Sequence, residues 1–237
     1  MSSTVHGEAA PSEGCALGWG VRDSFRVRTL LAMAAPFGGL PTRWPPTVDG
    51  PDPWLSKVAV ILPGLAYAPS MALLDLCRQA LIARGWTVQQ VWWDAPRLDD
   101  ADEMIEWVDG EAEAAIALEA DADRLLFVGK SLGSLGCLAS ARHGLPAIWL
   151  TPLLDQPRAV HALRHRTAPN LLVGGTADSS WTASSISGLG DEVLEIPDAT
   201  HFLDLPGDVV GSAQIQVKVA RAVSSFLDQL RGIGSDR

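Results

Sequence analysis

The sequence predicts an α/β layer fold, with a mostly parallel central sheet and helices on both of its faces. Three observations predict it. Short apolar runs alternate along the chain with longer stretches of helical period. Most of those runs are apolar at every position rather than at alternate ones, as strands covered on both faces are. The length of 237 residues suits one α/β domain.

Taken in order, the strands are expected over Phe25–Ala34, Val58–Leu62, Thr87–Trp92, Arg124–Val128, Ala147–Thr151, Asn170–Val173 and Glu192–Ile196. Residues 1–20, rich in Ser, Gly, Ala and Glu without periodicity, are expected to form a flexible leader ahead of a domain spanning residues 21–237. The proline-rich stretch from Pro36 to Pro53 is expected to be loop, because proline removes a ladder donor and fixes φ. A first helix follows Ser70 as N-cap, with Leu73, Leu74, Cys77, Ala80 and Leu81 on one face and Gly85 closing its end. A second, from about Asp100 to Ala120, has an acidic first turn and is weakened in the middle by Gly110. The last runs from about Ser212 to Leu230 behind a stripe of Ile215, Val219, Val223 and Phe226.

Composition narrows the function. A formal charge of −10 argues against a nucleic-acid partner, since neutralising phosphates requires clustered Lys and Arg. The densest basic stretch, Arg158, Arg164, His165 and Arg166, reads as a solvated helix face beside acidic neighbours. Cys15, Cys77 and Cys137 are odd in number and widely spaced, which suggests neither a disulfide framework nor a zinc site. With no secretory h-region, and no apolar run near the about 18 residues of a membrane span, a cytoplasmic protein without a membrane partner is expected.

The chemistry sits in Leu125-Leu126-Phe127-Val128-Gly129-Lys130-Ser131-Leu132-Gly133-Ser134, an apolar strand that stops at a glycine and leads into a helix. This is a Gly-x-Ser-x-Gly elbow in its expected setting, with Ser131 as the candidate nucleophile. A serine on so sharp a turn needs neighbours without bulk two residues to either side, which Gly129 and Gly133 provide. The amides at the start of the following helix would face an oxyanion. A phosphate loop is the rival reading of Gly129-Lys130-Ser131. It fails because Arg124 stands where that motif requires its first glycine. Lys130 is expected to form a structural ion pair, since side chains adjacent on a sharp turn diverge.

On these residues the chain resembles the α/β-hydrolase superfamily, and within it the small serine hydrolases without a lid, of esterase or dienelactone-hydrolase type. The resemblance covers nearly everything after the leader and implies the order serine, acid, histidine. Asp178, after the strand and glycine turn Asn170-Leu171-Leu172-Val173-Gly174-Gly175, matches the acid position, and His201, after the strand ending at Ile196, matches the base. Asp198 and Asp191 are the alternative acids; the first lies on the histidine's own loop, and the second precedes a strand. His6, His143, His161 and His165 occupy no matching loop. The resemblance implies oxyanion donors at the amides of Leu132 and Leu65, with Ala66 as an alternative to Leu65, and Pro63-Gly64 stands where many relatives have His-Gly.

The division of labour follows from the chemistry. A serine hydroxyl is a weak nucleophile until an imidazole takes its proton, and a carboxylate fixes the tautomer of that imidazole. Rates rising as an ordinary histidine deprotonates, at about pH 6 to 7, are expected. Residues 152–168 leave no room for a cap domain, so an open site is expected, walled by Tyr67, Trp149, Trp181 and Leu153, while Trp86, Trp92 and Trp107 are assigned to the core. The expected activity is hydrolysis of an ester, thioester or amide of a small or extended acyl substrate, with no metal or organic cofactor. A hydrolase-fold protein that only binds or regulates, and acyl transfer or perhydrolysis by the same residues, are the other readings.

Overall fold

The structure, a computed structural model, describes residues 43–45, 56–182 and 186–232. The expected leader and the strand expected over Phe25–Ala34 lie outside the described residues.

Among the described residues, seven strands form one sheet: β1 (Arg43–Trp44), β2 (Lys57–Leu62), β3 (Thr87–Gln90), β4 (Arg124–Lys130), β5 (Ala147–Leu150), β6 (Asn170–Gly175) and β7 (Glu192–Ile196), in the spatial order β1-β3-β2-β4-β5-β6-β7. All neighbours are parallel except β1, which pairs antiparallel with β3 through Arg43↔Gln89 and Trp44↔Val88. β1 therefore corrects the expectation of unbroken loop from Pro36 to Pro53. The strand stops at Pro45, which has no amide to donate to a ladder, so it stays a two-residue piece at the sheet's edge.

The helices are α1 (Ala72–Ile82), α2 (Ala101–Leu118), α3 (Cys137–His143), α4 (Pro157–Arg164) and α5 (Val209–Gly232), with a 3-10 helix over Ser131–Gly136. Alternation along the strands divides the core in two. Ile61, Leu126, Val128, Ile148, Leu171 and Val173 point to one face and pack against α1 and α5. Val60, Leu62, Phe127, Trp149 and Leu172 point to the other and pack against α2, the 3-10 helix, α3 and α4. A strand buried on both faces must be apolar at consecutive positions, which is why β2 reads Val58-Ala59-Val60-Ile61-Leu62.

Helix ends shift the expected boundaries by a turn or less. Met71, not Ser70, caps α1, in an extended conformation and without a side-chain cap. Asp100 caps α2 and accepts from the amides of Asp102 and Glu103. α5 starts one turn before Ser212 because Asp208 accepts from the Gly211 amide at 2.8 Å and offsets the poor helix propensity of Val209-Val210-Gly211. The basic stretch is partnered by acids, as expected: Arg158 faces Asp102 and Glu106 at 3.3 Å each, and Arg166 faces Asp191 at 2.8 Å. Cys77 and Cys137 are free and buried, and burial pushes both thiols up to about 12. Among the described residues, no helix is long and apolar enough to cross a membrane.

Candidate active site

The central strands bring the site together at their C-terminal ends, where open α/β sheets place their ligands. β4 delivers Ser131, which adopts a φ of 51°, in the left-handed region that a non-glycine residue enters at a cost of about 1 to 3 kcal/mol. The turn is possible only because its flanks are bare. A Cβ on Gly129 would stand 2.4 Å from the Gly133 carbonyl oxygen, and one on Gly133 would stand 2.3 Å from that of Leu62. The turn continues as the 3-10 helix rather than directly as an α-helix, and Gly136 lets it lie against Leu62 of β2.

β6 delivers the acid. Its last two residues are glycines that other groups overlie: Trp181 covers Gly174, and the Ala199 backbone covers Gly175. That packing joins the acid loop to the loop after β7, which carries the histidine, and a hydrogen bond from the Ala177 amide to the Ala199 carbonyl holds the two loops in register at 3.0 Å.

Asp178, His201 and Ser131 then form one hydrogen-bonded line. The His201 Nδ1 lies 2.7 Å from Asp178 Oδ2, and its Nε2 lies 2.7 Å from Ser131 Oγ. An ionised carboxylate only accepts, so Nδ1 carries the proton and the bare Nε2 accepts from the serine hydroxyl. The second oxygen, Asp178 Oδ1, accepts from the Ser180 amide at 3.0 Å. Burial pushes the Asp178 carboxyl up, but the hydrogen bonds from His201 and Ser180 and the nearby Lys130 charge outweigh it and hold the group below the usual carboxylate range. The acid side chain is 2% exposed and the histidine 30%, so the line runs from a dry end to a wet one.

The loop after β2 forms the opposite wall. Gly64 donates to the Tyr67 carbonyl at 3.0 Å, closing a turn that carries the Leu65 amide at its apex. A methyl placed on Gly64 would stand 3.5 Å from Ser131 Cβ, so this turn abuts the serine. The Leu132 amide lies in the first turn of the 3-10 helix, where amides have no partner within the helix.

A cleft of about 860 Å³ opens from this turn between the loops after β2 and β3, walled by Tyr67, Met71, Trp92, Trp93 and Met104 with Arg97 at its rim. Of the expected walls, Tyr67 is in place. Trp149 and Trp181 are not: they are 1% and 5% exposed core residues, packed on Gly129 and Gly174 respectively, and the Trp181 indole donates to Glu195 at 2.8 Å. Leu153 packs into the same core layer. Trp92, assigned to the core from sequence, lines the cleft instead. The strand expected to run to Trp92 ends at Gln90, so Trp92 and Trp93 fall in the loop. Pro96, four residues after Trp92, was the sequence signal that the strand pattern gives way to a loop near this point.

Lys130 forms no ion pair with a described residue. Its ammonium donates to Thr151 Oγ1 at 3.0 Å and to the His201 carbonyl at 3.1 Å. No three His, Cys, Asp or Glu side chains converge as a metal site among the described residues.

The shared architecture is recognisable in solved structures. Est1E from Butyrivibrio proteoclasticus superposes with a TM-score of 0.59 at 15% identity, covering 79% of this chain and 92% of that one. An α/β serine hydrolase homologue from Coxiella burnetii gives 0.59 at 13% identity, covering 78% and 89%. The chain has the α/β-hydrolase fold. A hydrolase of this fold without a lid, from Xanthomonas campestris, gives a TM-score of 0.50 at 18% identity and covers 80% of this chain and 97% of that one. The correspondence with the lid-less form fits the connection from β5 to β6, which holds α4 and no inserted domain. In sequence, no protein family and no curated protein matches the chain.

Proposed function

We propose that the protein is a serine hydrolase that cleaves carboxylic esters, or related thioesters and amides, through an acyl-enzyme on Ser131. The observation that carries this reading is the 2.7 Å contact at each end of the His201 ring, on a serine held in a strained turn. In this mechanism Ser131 attacks the acyl carbonyl while His201 Nε2 takes its proton. Asp178 stabilises the imidazolium, which protonates the leaving group, and water repeats the sequence to release the acid. The amides of Leu132 and Leu65 hold the developing oxyanion. No step requires a metal or an organic cofactor.

The cleft of Met71, Trp92, Trp93 and Met104 is the place for the bulkier part of the substrate. Its apolar walls favour a hydrophobic group, and without a cap the group can extend into solvent. Intact-mass labelling with a fluorophosphonate, followed by peptide mapping, tests the nucleophile. A single adduct on Ser131 is expected, and no adduct on a folded sample would turn the assignment to a binding protein of the same fold. The oxyanion donor has its own test. Leu65→Pro removes an amide at a turn position that tolerates proline, and is expected to lower kcat on a p-nitrophenyl ester by about 100-fold with KM little changed. An unaltered kcat would move the donor to Ala66.

A further inference from the structure

The variable position of the elbow is occupied by a cation with nowhere to go. Lys130 is 1% exposed, and its ammonium touches three different segments. It donates to Thr151 at the end of β5 and to the His201 carbonyl on the base loop. It also stands 4.7 Å from the centroid of the Tyr67 ring, on the loop after β2, and 5.4 Å from that of Phe202. Positive φ angles cluster on these segments: 51° at Ser131, 43° at Thr151 and 56° at Leu203. Thr151 is β-branched and fully buried, so its conformation is imposed by its surroundings.

We propose that Lys130 is a positioning residue that pins the base loop to the end of β5 and so holds the His201 imidazole in line with Ser131. The inference rests on the catalytic reading of Ser131 and His201. Lys130 has two roles that can be separated. The hydrogen bond to the His201 carbonyl limits rotation of the segment that aims the imidazole at Ser131. The charge acts through space. The titratable groups facing it are Asp178 from the acid loop, His201 from the base loop and Tyr67 from the loop after β2; Thr151 and Phe202 add no charge. Burial lowers the Lys130 ammonium to about 8 against the pull of Asp178, so it remains mainly charged at neutral pH. A cation so placed favours the ionised form of Asp178.

The test is the rate of fluorophosphonate labelling from pH 5 to 9 for the full-length wild-type chain, Lys130→Met, Lys130→Gln and Thr151→Val, with folding checked by far-ultraviolet circular dichroism. Lys130→Met is expected to lower the plateau rate about tenfold. Lys130→Gln, which keeps a donor for the His201 carbonyl, should lower it less. Thr151→Val leaves the bond to the His201 carbonyl in place and should lower the plateau less than Lys130→Met. A plateau unchanged in folded Lys130→Met overturns the proposal while the nucleophile stands. Absence of labelling in the wild type removes the nucleophile assignment and the proposal together.

Discussion

Ser131→Ala is expected to lower kcat/KM on any ester substrate by about 10⁴-fold or more and to abolish the fluorophosphonate adduct, with an unchanged circular dichroism spectrum and melting temperature. The size follows from what is lost. Without the hydroxyl no covalent intermediate forms, and His201 can only activate water, which is not held in line with the oxyanion amides. Because Ser131 and His201 act as a unit, the double variant Ser131→Ala, His201→Ala should be hardly slower than either single one. Stability should change little, since alanine is as strained as serine at a φ of 51° and only the hydroxyl's hydrogen bond to His201 is lost. Turnover within tenfold of wild type in Ser131→Ala would remove the acyl-enzyme mechanism.

Gly133→Ala is expected to cost about 3 kcal/mol or more in unfolding free energy, read as the shift in urea midpoint. Its Cβ would fall 2.3 Å from the Leu62 carbonyl oxygen and 2.6 Å from that of Pro63. Both are backbone atoms of the strand that leads into the turn bearing Leu65, so relief requires moving β2, whose residues are all buried. Gly110→Ala is the matched control: nothing lies within 4 Å of its Cβ position, and in mid-helix the change should stabilise by about 0.5 to 1 kcal/mol. A loss below about 1 kcal/mol in Gly133→Ala would mean that the elbow is looser than its geometry implies.

Much of this architecture was legible in the sequence because the physics behind it is local. Consecutive apolar residues mark a strand covered on both sides, and a serine between two glycines after such a strand marks a turn that nothing bulkier can make. Asp178 and His201 were found by their places after β6 and β7, and the structure brings both to hydrogen-bonding distance in one line with Ser131. The aromatic residues were not legible in that way. Trp149 and Trp181 sit near the chain positions of the site, yet each fills the void above a glycine of the sheet, Gly129 and Gly174. That pairing depends on register between strands and leaves no periodic trace. Trp92 and Trp93 were missed for the opposite reason: an apolar pair continuing a strand pattern reads as core, and only the point at which β3 leaves the sheet turns it into a cleft wall. The partners of Lys130 lie 21 and 71 residues away in sequence, so the ion pair expected from side chains diverging at the turn is replaced in the folded chain by a hydroxyl and a carbonyl.

The clustering of unfavourable features around Lys130 bears on how this protein can be made more heat-resistant. A buried ammonium with no contacting carboxylate among the described residues and left-handed residues at Ser131, Thr151 and Leu203 all work against the folded state, and they occupy one small volume. A selection for survival at high temperature, applied without a selection for turnover, would therefore be drawn to that volume first and would return robust, inactive chains. Thermostabilisation that keeps the chemistry has to start on exposed helix faces such as the one around Gly110, where nothing lies within 4 Å of the Cβ position and local energy can be gained without relaxing the strained turn.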